Sequence, residues 1–313
     1  MSKNELFYQQ KHVSDVISDE ELKASEEYCR GYMEFLDRCK TERESVDYAV
    51  ALAEKRGFVQ YKYGMEARPG DKFYRSVRGK ALMLAVIGKK SLSEGVNIAG
   101  AHVDAPRLDL KQLPLYEDSN MALFKTHYYG GIKKYQWVTI PLSLHGVIAK
   151  KDGTTVSVAI GEDEADPIFL VTDLLPHLGG DQGKKTLNDA FSGEDLNILI
   201  GSRPLGGTEE SDRFKGNIMK ILNEKYGICE EDLISAELEA VPAFKARDLG
   251  FDRSMIGAYG HDDRSCAYAE LAAILDTEAP EKTAVCLLSD KEEVGSDGVS
   301  GMQSAAFECF MED

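Results

Sequence analysis

The feature that most constrains the fold is an uncharged run, Thr283-Ala284-Val285-Cys286-Leu287-Leu288, that breaks directly into Ser289-Asp290-Lys291-Glu292-Glu293-Val294-Gly295-Ser296. A stretch apolar on both faces reads as a buried parallel strand. Its carboxyl end then carries two adjacent carboxylates into a glycine turn. In open α/β sheets ligands gather at such strand ends, so the run predicts both an α/β sheet and the edge at which chemistry takes place.

Two other clusters repeat the pattern. Val96-Asn97-Ile98-Ala99-Gly100-Ala101 reads as a short strand that delivers His102, Val103 and Asp104, and Ala105-Pro106 stops it. Gly260-His261-Asp262-Asp263-Arg264-Ser265 leads into the helical apolar pattern of Cys266, Ala269, Leu271, Ala272 and Leu275. Carboxylates are favoured at that helix start. Each cluster has an ordinary reading: His-x-Asp as a surface pair, Asp-Asp as an N-cap, Glu-Glu as a solvated face. Their conjunction at element ends favours a metal site, because zinc and harder divalent ions take His nitrogen and carboxylate oxygen.

Ala101-His102-Val103-Asp104-Ala105-Pro106, Asp262-Asp263-Arg264-Ser265-Cys266 and Asp290-Lys291-Glu292-Glu293-Val294-Gly295-Ser296 resemble three successive motifs of the aspartyl aminopeptidase and vacuolar aminopeptidase I family, cocatalytic zinc exopeptidases. The resemblance runs in order over most of the chain. It implies that His102 and Glu293 are metal ligands, that Asp262 bridges two metal ions, and that Glu292 is the general base. Asp104 is then the carboxylate that holds the His102 ring, as acidic groups beside metal-bound histidines commonly do, and Asp263 shapes the turn presenting Asp262. The implied cofactor is a pair of divalent ions, zinc first, with cobalt or manganese as alternatives that N and O ligands do not separate. The implied reaction is hydrolysis of the N-terminal residue of peptides by metal-activated water, with acidic residues favoured and neutral ones as the alternative.

The family pattern also includes an aspartate and a histidine downstream of Glu-Glu, whereas here no histidine follows His261. Asp297 and Asp313 are poor substitutes, and Ala305-Ala306-Phe307-Glu308-Cys309-Phe310-Met311 reads as a helix without a stop signal. The expectation is therefore the front part of a longer enzyme. The competing expectations are a non-catalytic binding or assembly subunit of the same fold and, within enzymes, a related dinuclear carboxypeptidase or deacylase.

With 43% hydrophobic and 29% charged residues the chain can bury a substantial core, and its length suggests two domains. A formal charge of -17 argues against nucleic acid or an anionic membrane as partner. Six cysteines without a Cys-x-x-Cys pair read as reduced, mostly structural thiols. Met1 to Gln10 lacks the apolar run of a signal peptide and no segment is long enough to span a membrane, so a cytoplasmic location is expected.

Helical periodicity covers Asp19 to Arg38, with Leu22, Tyr28, Met33, Phe35 and Leu36 as its apolar set. Thr41-Glu42-Arg43-Glu44 reads as a capping box for a second helix that ends near Gly57. Ala81 to Ile87 is a buried strand. From about Leu108 to Val241 the texture becomes β: Trp137 to Ile148 and Thr154 to Ile160 alternate around the turn Lys151-Asp152-Gly153. The expected organisation is a mixed-sheet α/β domain of residues 1–108 and 242–313 interrupted by a mainly β insertion of residues 109–241, and the resemblance implies that the first is the zinc exopeptidase catalytic domain and that the insertion serves oligomerisation and substrate binding. Within it, Leu174-Leu175-Pro176-His177-Leu178 resembles the family segment whose histidine reaches a neighbouring subunit's active site. This makes His177 a substrate-binding candidate in a high-order homo-oligomer, a dodecamer among the options. His127 and His145 are expected to be structural. Gly179-Gly180-Asp181-Gln182-Gly183-Lys184-Lys185 has the wrong spacing for a phosphate loop, and Gly298-Val299-Ser300-Gly301 fails as a nucleophile elbow.

Overall fold

The computed structural model describes residues 6–206 and 211–313. The chain opens with helices α1 (Asp19–Arg38) and α2 (Glu42–Lys55), then strands β1 (Val59–Gln60), β2 (Lys72–Val77), β3 (Ala81–Val86) and β4 (Asn97–His102). A long β region follows: β5 (Arg107–Asp118), β6 (Met121–Tyr129), β7 (Leu142–Ala149), β8 (Thr155–Ile160), β9 (Leu170–Val171) and β10 (Ile198–Gly201). Helix α3 (Arg213–Tyr226), β11 (Ala236–Pro242) and the short pair β12 (Arg247–Leu249) and β13 (Met255–Gly257) lead to α4 (His261–Asp276), β14 (Ala284–Ser289) and α5 (Ala306–Glu312).

These strands make a five-stranded sheet of order β1-β2-β3-β14-β4 and a seven-stranded sheet of order β8-β7-β11-β5-β6-β10-β9. The first is mixed, because β14 runs parallel to β4 and antiparallel to β3. Every residue of β3 is buried, and alternation divides its side chains between two cores. Leu82, Leu84 and Val86 pack with Val46 and Ala49 of α2 and Leu271 of α4, while Met83 and Ala85 pack with Phe307 and Phe310 of α5. That double cover explains why the β3 and β14 sequences read as continuous apolar runs.

Both N-terminal helices start as expected. Ser18 caps α1 through a reciprocal box with Glu21, and Thr41 caps α2 through Glu44, each box contributing about 1 kcal/mol. The expected apolar stripe of α1 is only half used. Tyr32, Phe35 and Leu36 are buried, whereas Leu22 is 47% exposed and Tyr28, although its ring lies 5.2 Å from that of Tyr268, is 41% exposed.

The strand expected from Trp137 to Ile148 begins only at Leu142. Thr139 takes a left-handed backbone at φ 61° and Pro141 has no N–H, so ladder pairing cannot extend back through them. Trp137 and Val138 still enter the core of the seven-stranded sheet, beside Leu142 and Leu144. The thiols depart from expectation as well: all six cysteines are free, but only Cys39 and Cys286 are buried, while Cys229, Cys266 and Cys309 are exposed.

The chain passes from one sheet to the other within four residues, from His102 at the end of β4 to Arg107 at the start of β5. A buried ion cluster fills the junction. Arg107 meets Asp109 at 2.7 Å and Glu42 and Glu239 at 3.2 Å, and Lys80 meets Glu42 at 3.1 Å. Burial opposes the Glu42 charge, but Arg107 and Lys80 hold its carboxyl down to about 2. Glu239 is driven the other way, by burial and by the Glu42 charge that shares the same arginine.

Candidate metal centre

Register brings two of the sequence motifs together. Ser289 pairs with His102 at the common end of the parallel strands β14 and β4, and the Val103 amide donates to the Ser289 carbonyl at 2.9 Å. The segments that leave these strands are therefore neighbours, with Asp104 beside Glu292 and Glu293. The third motif arrives from α4, which packs across the same strands. Gly260 turns the chain at φ 85°, and Asp262 and Asp263 precede the regular helical backbone.

His102 is buried, and its Nδ1 faces two acceptors, the Asp104 carbonyl at 2.9 Å and Asp104 Oδ1 at 3.3 Å. Nδ1 consequently carries the proton. Nε2 points the opposite way, 3.4 Å from Asp262 Oδ1 and 3.5 Å from Glu292 Oε2. Burial disfavours a charged ring, but the Asp104 contacts and the Glu292 charge raise it to about 9. Carboxylates that favour a proton at Nε2 favour a metal cation there for the same electrostatic reason.

Asp104 is fully buried and works with both oxygens. Oδ1 accepts the Glu292 amide, and Oδ2 accepts the Glu293 amide, each at 3.2 Å, and Oδ2 also accepts the Tyr129 hydroxyl at 2.8 Å. Burial pulls its carboxyl upward, but His102, Tyr129 and the Glu293 amide hold it below the usual carboxylate range. One carboxylate thus orients the histidine ring and fixes the turn that carries the paired glutamates.

Glu293 is half-buried, with its carboxylate against the chain just beyond β6. A Cβ at Gly130, just beyond β6, would lie 2.8 Å from Glu293 Oε2, at a backbone φ of 76° that glycine tolerates best. Burial raises the Glu293 carboxyl, against the Gly131 amide and His102, which lower it.

His102, Asp262, Glu292 and Glu293 therefore gather at one sheet edge, with Asp104 behind them. His177 does not join them. It sits in an exposed segment after β9 and makes no hydrogen bond or ion pair with the cluster. Among the described residues none of Asp262, Glu292 and Glu293 has a Lys or Arg partner, and His102 Nε2 has no backbone partner. Imidazole nitrogen and carboxylate oxygen are the donor types zinc uses, so the residues fit that ion by chemistry. As their side chains stand, no three His, Cys, Asp or Glu groups among the described residues are placed to hold a metal ion together.

Reasoning from sequence missed Tyr129, the Gly130-Gly131 pair and Arg264. The glycine doublet after an alternating strand was a usable signal. Arg264 left none, since its importance lies in burial, with Nε donating to the Val103 carbonyl at 3.1 Å and Nη2 to the Lys40 carbonyl at 2.9 Å.

Comparison with known proteins bears on the family and the fold. The family described as aminopeptidase I zinc metalloprotease (M18) matches residues 35–313. A probable M18 family aminopeptidase 1 of Clostridium acetobutylicum is 53% identical, the match covering 99% of this chain and 68% of that protein. Its Thermotoga maritima counterpart is 47% identical over 89% of this chain and 61% of its own length. The crystal structure of the Thermotoga maritima M18 aminopeptidase superposes with a TM-score of 0.91 at 44% identity, covering 97% of this chain and 66% of that one. Yeast aminopeptidase 1 shares the fold, with a TM-score of 0.72 at 21% identity over 92% of this chain and 66% of its own. The chain spans about two thirds of the length of the relatives it matches. From the match over residues 35–313 and the identity to these relatives, the chain belongs to the aminopeptidase I zinc metalloprotease (M18) family.

Proposed function

We propose that this chain carries the catalytic base and part of the metal site of an aminopeptidase that hydrolyses the N-terminal residue of peptides. The observation that carries the reading is the free face of His102: Nδ1 is held by Asp104, and Nε2 looks toward Asp262 and Glu292. In this reading His102, Glu293 and Asp262 would hold two divalent ions, zinc first. Bound zinc would lower the pKa of water and polarise the scissile carbonyl.

Glu292 is the general base. It takes a proton as the water oxygen bonds to the carbonyl carbon, then returns the proton to the amine nitrogen as the C–N bond breaks. Its backbone is pinned through the amide to Asp104, while its side chain is 58% exposed and lies 3.5 Å from His102 Nε2. Acidic N-terminal residues are the favoured substrates and neutral ones the alternative.

Residues 109–241 form the inserted unit in this reading, between the catalytic segments 1–108 and 242–313. His177 reaches substrate in a neighbouring subunit of a homo-oligomer. The support is the surface around it: Leu174, Leu175 and Leu178 are 55%, 66% and 71% exposed, an apolar patch suited to burial against another copy. A structure of yeast mApe1 is a dodecamer. Among the described residues no helix is long and apolar enough to cross a membrane.

The test is Glu292→Gln in the full-length protein, assayed with acidic and neutral aminoacyl substrates and for bound metal. Turnover should vanish with zinc content unchanged. Retained turnover would remove Glu292 as base, and a wild-type protein without zinc or activity would favour a non-catalytic subunit.

A further inference from the structure

The paired glutamates and His102 are organised by Asp104, and Asp104 is in turn held by a residue of the seven-stranded sheet. Tyr129 ends β6 and is buried, and its hydroxyl donates to Asp104 Oδ2 at 2.8 Å. Its ring is also fixed, since the Arg107 guanidinium carbon lies 3.8 Å from the ring centroid. Arg107 is itself locked by the carboxylates of the junction cluster. The preceding Tyr128 instead stacks on His127 and is 39% exposed.

We propose that Tyr129 is a positioning residue of the aminopeptidase reaction, its hydroxyl fixing the Asp104 carboxylate that orients His102 and the Glu292–Glu293 turn. The inference rests on the function proposed above and adds a role for the inserted sheet. The phenol touches neither substrate nor metal in this assignment; it acts through Asp104. Two observations support action at a distance. Asp104 has one oxygen that serves both Tyr129 and the Glu293 amide, so loss of the hydroxyl leaves that oxygen held by the Glu293 amide alone. The ring is clamped independently of the hydroxyl, so Tyr129→Phe removes one donor without emptying the space. Partners behind a metal ligand typically change affinity or activity by about 10- to 100-fold when removed.

The experiment compares wild type, Tyr129→Phe, Asp104→Asn, the double variant and Tyr128→Phe in the full-length protein. It reads kcat and KM, zinc affinity, and amide hydrogen exchange of residues 289–296. Tyr129→Phe should lower kcat about tenfold or more with KM within about twofold, weaken zinc binding about tenfold and speed exchange across residues 289–296. Tyr128→Phe should do none of these. In the Asp104→Asn background the further change Tyr129→Phe should have no added effect. Wild-type kcat and exchange in Tyr129→Phe, or an equal loss in both backgrounds, would overturn the assignment. Faster exchange spread through β5 and β6, with a lowered unfolding midpoint, would also overturn it by showing a packing role alone. If wild type neither binds zinc nor hydrolyses peptides, the functional reading fails, and the exchange comparison between backgrounds still decides whether Tyr129 positions Asp104.

Discussion

Arg264 reaches from the start of α4 to the carbonyl of Val103, the residue between His102 and Asp104, at 3.1 Å. The Asp-Asp-Arg motif therefore grips the His-x-Asp motif through its backbone, and Asp262 and His102 are held in one frame. The guanidinium is wholly buried and also binds the Lys40 carbonyl. Gly260 leaves room for it, because a Cβ there would lie 2.5 Å from Arg264 Nη1.

Arg264→Met should strand two buried carbonyls at a cost of about 1–3 kcal/mol each. The expected outcome is a fall in urea-unfolding stability of about 3 kcal/mol or more, together with weaker zinc binding. Stability within about 0.5 kcal/mol of wild type would show that the arginine is not a strut.

Gly130→Ala places a methyl against Glu293 in a backbone conformation unfavourable to alanine. The local strain should cost about 1–2 kcal/mol of stability. Activity should fall about tenfold or more as Glu293 shifts. Steady-state kinetics and a thermal melt on the same sample check both, and unchanged kinetics would place Glu293 outside the reaction.

His145 joins the capping box of α2 to the seven-stranded sheet, with Nδ1 at 2.8 Å from Glu44 and Nε2 at 3.1 Å from Glu162. Burial opposes its charge, but the two glutamates raise it from 6.5 to about 9. A histidine raised on folding contributes stability that is fully present below about pH 6.5 and is lost as pH rises through about 9. Glu162, held down to about 2 by His145 and Lys40 despite its burial, contributes stability present above about pH 4.5 that is lost as pH falls toward 2. The stability gap between wild type and His145→Gln should thus be widest between about pH 5 and 6.5, on the order of 3 kcal/mol. It should close above about pH 9. Urea midpoints across that range measure it, and a gap independent of pH would mean that the ring is neutral in the folded protein.

Chelation should abolish peptide hydrolysis and zinc should restore it, while the far-ultraviolet circular dichroism stays as it was. The reason is structural: the core of each large sheet is built from apolar residues, Leu84 and Leu288 in one and Leu142 and Leu144 in the other, and His102, Asp262, Glu292 and Glu293 belong to neither. A spectrum that collapses on chelation would show that the ion is part of the fold.

Much of the fold was legible because local patterns had local causes. The capping box at Thr41, the apolar runs of β3 and β14, and the turn after β7 announce themselves through hydrogen-bonding side chains and periodicity. The strand expected from Trp137 failed because a left-handed Thr139 and a proline interrupt an apolar run that is buried all the same. Apolar composition reports burial and is silent on whether the backbone is paired.

For the site, the sequence by itself determined the donor types: a histidine, an aspartate and paired glutamates at element ends, side chains of the kinds zinc takes. Tertiary structure alone decided the geometry. The pairing of Ser289 with His102 sets Asp104 beside the glutamates. The short passage from β4 to β5 brings Tyr129 and Gly130 of a different sheet onto the same spot. Ligand types are written residue by residue, whereas the groups that aim them are separated along the chain and meet only through sheet register and packing, which no local pattern encodes.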